Sequence, residues 1–403
     1  MYRGLPKKYK KKFHEHLRKR RHWTALVLYD HSIIAFVLRT EIDRKEIRVG
    51  PVKCAAARGI RAGRIVNSPR AGEVMAHLLK SVSEEAGIKD NRVLIGLDIP
   101  PLRLTPKQWT DDSCLKTPCD ETIYRRILHS IIRESTFASQ HIVEIIPLKI
   151  SMDERLVEDP CGLTGQLKMD SVLVSLSYED QKDLEKCLEG INYNCETFFS
   201  GFYNLCSAFS EVTGENEQTL LMDLKCNSTD VVMFRGDRPL ALKCYRQGID
   251  DIIIRTLSSV FNISEGEVIS YLRKYYRYHR EKDAEIIGKG ELPNCPMGLR
   301  CWEIEEIVMG QLKNFIFMEN GIGDLLTTLH TDLSVTPRKV IITGEGSTIP
   351  DIDALFEKET HIKTETKNWG SPGAENNMPL TAYGMARAIA VDVGATLQLT
   401  SPP

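Results

Sequence analysis

Apolar runs broken by short polar turns recur along the chain, and their periods predict alternating strands and helices. Thr24 to Thr40, TALVLYDHSIIAFVLRT, reads as two strands around the turn Tyr29-Asp30-His31-Ser32. A helix from about Ala71 to Glu85 places Val74, Leu78, Leu79 and Val82 on one face. Val93 to Ile99 is a strand, Pro118 to Glu134 a helix with Ile123, Ile127, Leu128 and Ile131 inward, and His141 to Met152 a further strand. Ser171 to Ser177 is near-continuously apolar, the pattern of a buried parallel strand, and a helix from Tyr178 to Glu189 follows. Thr219 to Leu240 reads as consecutive hairpins: Leu220-Leu221-Met222 runs to Asp223, bends through Lys225-Cys226-Asn227-Ser228, and returns as Val231 to Phe234 before Arg235-Gly236-Asp237. Helices are expected at Asp251 to Phe261, after Ser264, and at Trp302 to Met318, where Ile304, Ile307, Val308 and Leu312 share a face. Arg338 to Pro350 is a strand running into a glycine turn, a helix covers Asp351 to Glu359, and Pro379 to Ala390 is a small-residue helix. The alternation of strand and helix sets the class as α/β.

With 403 residues the chain exceeds one compact core, so two or more domains are expected. Its 53 Lys plus Arg against 55 Asp plus Glu give no global reason to expect nucleic acid. Charge is local instead. Residues 1–22 carry a run of Lys and Arg with Tyr9, Phe13 and Leu17 every four residues, a solvated arm or a basic amphipathic helix for an anionic membrane surface or an acidic partner. Lys274 to Arg280, KYYRYHR, mixes basic and aromatic residues but is too short to signal nucleic acid and reads as helix surface. The 11 cysteines form no Cys-x-x-Cys pair, which indicates neither a zinc site nor a disulfide framework and fits a reducing cytoplasm. No apolar run approaches the roughly 20 residues of a membrane-spanning helix.

Candidate chemistry gathers at the turns. An Asp at the end of a buried strand, a polar turn, a hydroxyl and a second Asp is a layout that holds a phosphate and its metal ion, and Asp223, Ser228, Thr229 and Asp230 supply it. Gly344, Gly346 and Ser347 form a turn before a helix, where backbone can approach a ligand closely. Gly248 opens the helix at Asp251, and Ser264 with Glu267 makes a capping box. His31 reads as an exposed turn residue and Cys206 as core.

These turns, together with Gly59-Ile-Arg-Ala-Gly63-Arg-Ile-Val-Asn67, with Pro147 in the last strand of the strand–helix–strand run, and with Asp153, Pro160, Gly162, Leu163 and Gly165 after it, resemble the FtsA family of bacterial cell-division proteins. That family belongs to the actin/Hsp70/sugar-kinase superfamily, and the resemblance spans about Leu26 to Ala390. It implies an actin/Hsp70-like two-lobed fold with an FtsA-type inserted subdomain. The implied parts are a basic arm (1–22), a first lobe (23–88 and 166–207) with its insert (89–165), and a second lobe (208–250 and 326–395) with a further subdomain (251–325). Gly201, followed by Cys206, Ser207 and Ala208, matches a hinge helix.

The departures are specific. In the first phosphate loop Leu28 stands for the family's Asp, Asp30 for its Gly and His31 for its Thr. In the second, Asp223 and Asp230 are kept and Ser228 takes the hydroxyl position, but Lys225, Cys226 and Asn227 replace three glycines; Lys225 is placed to offset phosphate charge. Glu267 matches a ribose-holding Glu, with Ser270 where the family has Lys. Gly344, Gly346, Ser347 and Pro350 match the adenosine loop, with Glu345 for a Gly.

The resemblance implies ATP with Mg²⁺ as cofactor, Asp223 or Asp230 reaching the metal through water, and the altered loops imply weak affinity and little hydrolysis, a weak ATPase or pseudo-ATPase. It further implies self-association into filaments and an FtsZ-like filament partner received by residues 251–319. The expected location is cytoplasmic, at the inner face of the membrane at the division site; because the chain ends at Ser401-Pro402-Pro403 without the family's amphipathic helix, any membrane contact is expected from the basic N-terminus. Two other readings share the fold: a pilus-assembly scaffold of the PilM type, and a small-molecule kinase, against which Leu28 argues.

Overall fold

The computed structural model describes residues 21–41, 46–61, 63–99, 102–135, 139–157, 159–209, 217–236, 238–275, 286–287, 298–367, 378–393 and 396–399. Nearly all of the basic arm, most of the KYYRYHR run and the glycine- and proline-containing loop before Cys301 lie outside the described residues. The chain divides into two compact units, residues 1–212 with 370–403, and residues 213–369.

The first unit is built on a six-stranded sheet. Strands β1 (His22–Leu28), β2 (Ser32–Glu41) and β3 (Glu46–Ala56) form an antiparallel meander. The hairpin β4 (Ile60–Arg61) and β5 (Arg64–Ile65) leads to α1 (Ser68–Ala86), after which β6 (Arg92–Leu97) pairs parallel with β1. Both faces are covered, which is why β1 and β2 read as unbroken apolar runs. Trp23, Ala25, Val27, Ile34, Phe36 and Leu38 pack with Met385, Ala386 and Ile389 of a C-terminal helix, Leu380–Val393. The alternate residues Leu26, Leu28, Ile33, Ala35 and Val37 are buried too. A C-terminal strand, Thr396–Leu399, closes the sheet beside β3. α1 starts three residues before the apolar period does, because Asn67 accepts a hydrogen bond from the Arg70 amide and Pro69 occupies the first turn; Gly87 ends it in the left-handed conformation.

Between β6 and the last strand of this sheet the chain inserts a four-stranded antiparallel sheet with one helix. β7 (Arg103–Asp111), α2 (Glu121–Ser135), β8 (Gln140–Met152), β9 (Arg155–Leu156) and β10 (Leu167–Ser177) arrange in the order β7-β10-β8-β9. β10 is antiparallel to both neighbours, correcting the parallel reading of its apolar run. Its continuous burial comes from a central position in the sheet. β7 escaped the sequence pattern because it is a half-exposed edge strand containing Pro106, and an edge tolerates proline. α2 begins at Glu121, since the Asp120 carboxylate accepts from the Ile123 amide and caps it there. α3 (Tyr178–Glu189) occupies the predicted span, and β11 (Asn194–Ser200) and α4 (Gly201–Phe209) return the chain to the first sheet.

The second unit repeats the strand plan. β12 (Gln218–Leu224), β13 (Thr229–Arg235) and β14 (Arg238–Tyr245) form a meander, and β17 (Lys339–Thr343) and β18 (Lys363–Thr366) extend it in parallel on the β12 side. The sheet orders β3-β2-β1-β6-β11 and β14-β13-β12-β17-β18 are thus the same topology used twice. Between β14 and β17 lie a wide helical turn at Asp250–Ile254, then α5 (Arg255–Phe261), α6 (Glu265–Tyr275), the hairpin β15 (Ile286–Ile287) and β16 (Leu299–Arg300), α7 (Cys301–Phe317) and α8 (Ile322–Leu333); α9 (Ile352–Thr360) follows β17. One apolar core joins Leu220, Met222 and Ile342 of the sheet to Ile253, Phe261, Val308, Leu312 and Phe356 of the helices. Residues 380–393 pack in the first unit, although they were expected with the second lobe; Gly384 makes this seat by letting the helix meet the Asn204 backbone.

Candidate functional site

The turn between β12 and β13 carries the candidate residues of the second unit. The register puts Asp223 directly opposite Asp230, an arrangement that repels when both carboxylates are charged. Lys225 relieves it. Its ammonium lies 2.5 Å from Asp230 Oδ2 and 3.8 Å from Asp223 Oδ2, with the three side chains 9%, 3% and 6% exposed. Cys244 of β14 lies beside Asp230 and donates from Sγ to Tyr245 O at 3.8 Å, and burial, then the Asp230 carboxylate, push its thiol well above its usual range. The turn is closed by Lys225 N–H donating to Ser228 O at 3.0 Å. It is clamped from outside by Ile249 N–H to Lys225 O at 2.8 Å and Asp250 N–H to Cys226 O at 3.0 Å. Gly248 permits this, since a Cβ there would run into the Lys225 and Cys226 carbonyls. Thr229 Oγ1 donates to Gln247 O at 2.8 Å.

The glycine turn sits beside it for a topological reason. β12 and β17 are parallel neighbours with Asp223 in register with Thr343, so both chains leave the sheet at their carboxyl ends, where open α/β sheets place ligands. Gly344 has φ +80°, and a Cβ there would lie 2.6 Å from Asp223 Oδ1. Gly346 packs on the Leu224 side chain, and Ser347 Oγ donates to Gly344 O at 2.6 Å. Asp223, Lys225, Ser228, Asp230, Gly248, Gly344, Gly346 and Ser347 therefore form one neighbourhood. Glu267 lies in α6, where its carboxylate accepts from Ser264 N–H at 2.8 Å and Ser264 Oγ at 2.6 Å, which keeps it below the usual carboxylate range.

Chemically, the neighbourhood is a carboxylate pair already holding a cation. The ammonium sits on one oxygen, Oδ2, of each carboxylate, so a Mg²⁺ at Asp223 and Asp230 would share these acids with Lys225. The sequence reading aimed Lys225 at phosphate charge, whereas the fold commits it to two carboxylates. Register across the hairpin decides this, and composition does not reveal it.

In the first unit the β1–β2 turn is closed the same way, by Tyr29 N–H to Ser32 O at 2.9 Å. Tyr29 turns inward and its hydroxyl meets Thr381 Oγ1 at 2.6 Å, while His31 is exposed. Leu28 is buried in the sheet and presents no carboxylate. Two residues of this unit escaped sequence reasoning: Asp98, 2% exposed at the end of β6 against Gly201, and Glu144, 1% exposed in β8 and accepting from Ser200 Oγ. An acid in an apolar strand was the available signal. Burial raises the Cys206 thiol, consistent with a core role. A groove of about 600 Å³ lies elsewhere in the second unit, between α7 and α9, lined by Trp302, Glu305, Glu306, Met309, Lys313 and Lys358 among others. No helix among the described residues is long and apolar enough to cross a membrane.

No protein-family model matches the chain. Among curated proteins it is similar to the cell division protein FtsA of Streptococcus pneumoniae, with 23% identity over 342 residues, 82% of this chain and 72% of that protein. Among solved structures it is similar to the PilM-PilN type IV pilus biogenesis complex, at TM-score 0.61 and 14% identity, covering 92% of this chain and 98% of that one. A structure of the ethanolamine utilization protein EutJ from Carboxydothermus hydrogenoformans matches at TM-score 0.49 and 10% identity, over 93% of this chain and 90% of that one. With one sheet topology used in both units, the likeness at this level of identity is one of architecture, and the chain has the actin-like fold.

Proposed function

We propose that this chain is an actin-like cell-division scaffold of the FtsA kind that self-associates and tethers an FtsZ-type filament at the membrane, binding nucleotide weakly and hydrolysing it little or not at all. The likeness to FtsA supports the cell-division role. The observation that carries the catalytic part is the buried Lys225 ammonium between Asp223 and Asp230, a tethered cation where a Mg²⁺–phosphate complex would need free carboxylates. The basic N-terminal residues are the proposed membrane contact, through charge attraction to anionic lipid. The partner segment is proposed to meet the second unit at its helices, where the α7–α9 groove offers Trp302 and Met309.

Calorimetric titration with ATP and Mg²⁺, together with a phosphate-release assay, tests the catalytic part: weak binding and negligible turnover are expected. Rapid Mg²⁺-dependent turnover that is lost on Asp230→Ala would overturn it. A second reading, a pilus-assembly scaffold of the PilM kind, is supported by the fold likeness that covers nearly all of the PilM-PilN chain. Co-sedimentation separates the two, since the first requires the protein to pellet with FtsZ-type filaments and the second requires a PilN-type peptide to bind instead.

A further inference from the structure

We propose that Cys114, Cys119 and Cys161 form a thiol–disulfide site in the inserted subdomain, with Cys119 as the shared partner and Cys161 as the thiol an oxidant reaches first. Spacing along the chain hides this set, because Cys114 and Cys119 lie on the loop between β7 and α2 while Cys161 lies on the turn before β10. The backbone brings the two segments together. Cys119 N–H donates to Leu163 O at 2.8 Å, Gly162 N–H to Cys119 O at 2.7 Å, and Gly165 N–H to Cys114 O at 2.9 Å. All three side chains join one apolar cluster with Tyr124, Met152 and Met169. Cys119 Sγ donates to Asp120 O at 3.9 Å, and Cys114 and Cys161 both lie near enough to push its thiol further up after burial. Exposure is graded, 0% at Cys114, 1% at Cys119 and 8% at Cys161, so solvent meets the cluster at Cys161.

Pairwise exchange suits this geometry better than a metal does. Among the described residues, the groups of three ligands whose donor atoms all lie within 4.8 Å of one another do not include this set. Cys119 can engage one neighbour at a time. Burial, followed by the neighbouring thiols, keeps the Cys119 thiol protonated, so it is inert until its partner has been activated. With a peroxide as oxidant, Cys161 sulfur attacks one peroxide oxygen, the O–O bond breaks, and the thiol proton leaves with the other oxygen as water. Cys119 sulfur then attacks the Cys161 sulfenic acid, the S–S bond forms, and the hydroxyl leaves with the Cys119 proton as a second water. Two thiols are oxidised and one peroxide is reduced to two waters. Cys114 can afterwards attack Cys119 and release Cys161 by exchange with no net oxidation. The bond would staple the turn at 160–163 to the start of α2, between the exposed side chains Leu115 (50%) and Leu163 (40%), and so fix that apolar edge.

The test is peptide mapping of the reduced full-length chain after stoichiometric peroxide and alkylation. The expected product is a Cys119–Cys161 disulfide with Cys114–Cys119 as the minor species, a raised melting temperature for the oxidised wild type, and slower amide exchange at 113–119 and 160–165. In Cys119→Ser, Cys161 should instead be trapped as a sulfenic acid by dimedone. Cys161→Ala, at the edge of the cluster, should fold and show no change on oxidation. The proposal is overturned if all three thiols remain alkylatable while exposed Cys54 reacts, or if zinc alone protects all three from alkylation at one equivalent.

Discussion

Replacing Lys225 by Met removes a buried charge while leaving the volume of the side chain nearly filled, so the loss reports electrostatics and not a cavity. In the wild type one ammonium serves two carboxylates that face each other across β12 and β13, all three nearly out of solvent. Deleting one partner of such a buried cluster leaves uncompensated charge and costs about 3–5 kcal/mol. Against a typical total of roughly 5–15 kcal/mol that is a large fraction, and it corresponds to a melting-temperature drop of about 6–20 °C for a domain of this size. Because two units need not melt together, the local readout is amide exchange of β12 and β13, which should accelerate in Lys225→Met more than exchange in β1 and β2. Two further arms follow from the tethered-cation reading. Millimolar Mn²⁺ should raise the melting temperature of Lys225→Met and leave the wild type unchanged, since only the variant offers the carboxylates to a metal. The triple variant Asp223→Asn, Lys225→Met, Asp230→Asn should recover most of the loss, because an uncharged cluster owes no desolvation of ions. A loss below about 1 kcal/mol, the range of an exposed pair, or equal stabilisation of variant and wild type by Mn²⁺, would refute the reasoning.

Gly344→Ala forces a side chain into φ +80° and within 2.6 Å of Asp223 Oδ1, and should lower the unfolding free energy by roughly 1–3 kcal/mol, read as a lower denaturant midpoint at unchanged slope. Gly384→Ala should disrupt the seat of the C-terminal helix on Asn204, measured as loss of thermal stability in the first unit, whereas Gly266→Ala, in the exposed first turn of α6 with nothing within 4 Å, should be neutral or stabilising by up to about 1 kcal/mol. Burial lowers the His141 pKa below its usual value, so the unfolded chain takes up a proton that the folded chain resists. Stability from this residue is therefore present above about pH 6.5 and lost as pH falls toward the depressed folded value. His141→Phe, which keeps ring contacts with Tyr178 and Phe198, should flatten that part of a melting-temperature profile between pH 7 and pH 5.

Much of the architecture was readable because the signals are local. The β1–β2 and β12–β13 hairpins announce themselves as apolar runs around four polar residues, and Ser264 with Glu267 forms its capping box as spacing alone predicts. The candidate turn was readable to the same degree, since Asp223, Ser228, Asp230, Gly344 and Gly346 sit at the ends of strands whose periods are plain. The partner of Lys225 was not readable: a lysine in a polar turn looks the same whether it reaches for phosphate or folds back on its own hairpin.

Periodicity along the chain determined which segments are most of the strands and helices, which faces they bury and that more than one core must form, because these depend on each residue's neighbours within a few positions. Only the tertiary structure decided that β10 runs antiparallel, that the C-terminal helix joins the first sheet, that three distant cysteines meet, and that one ammonium neutralises two facing acids. Those outcomes depend on which surfaces pack together, and an apolar pattern records that a face is covered without recording by what.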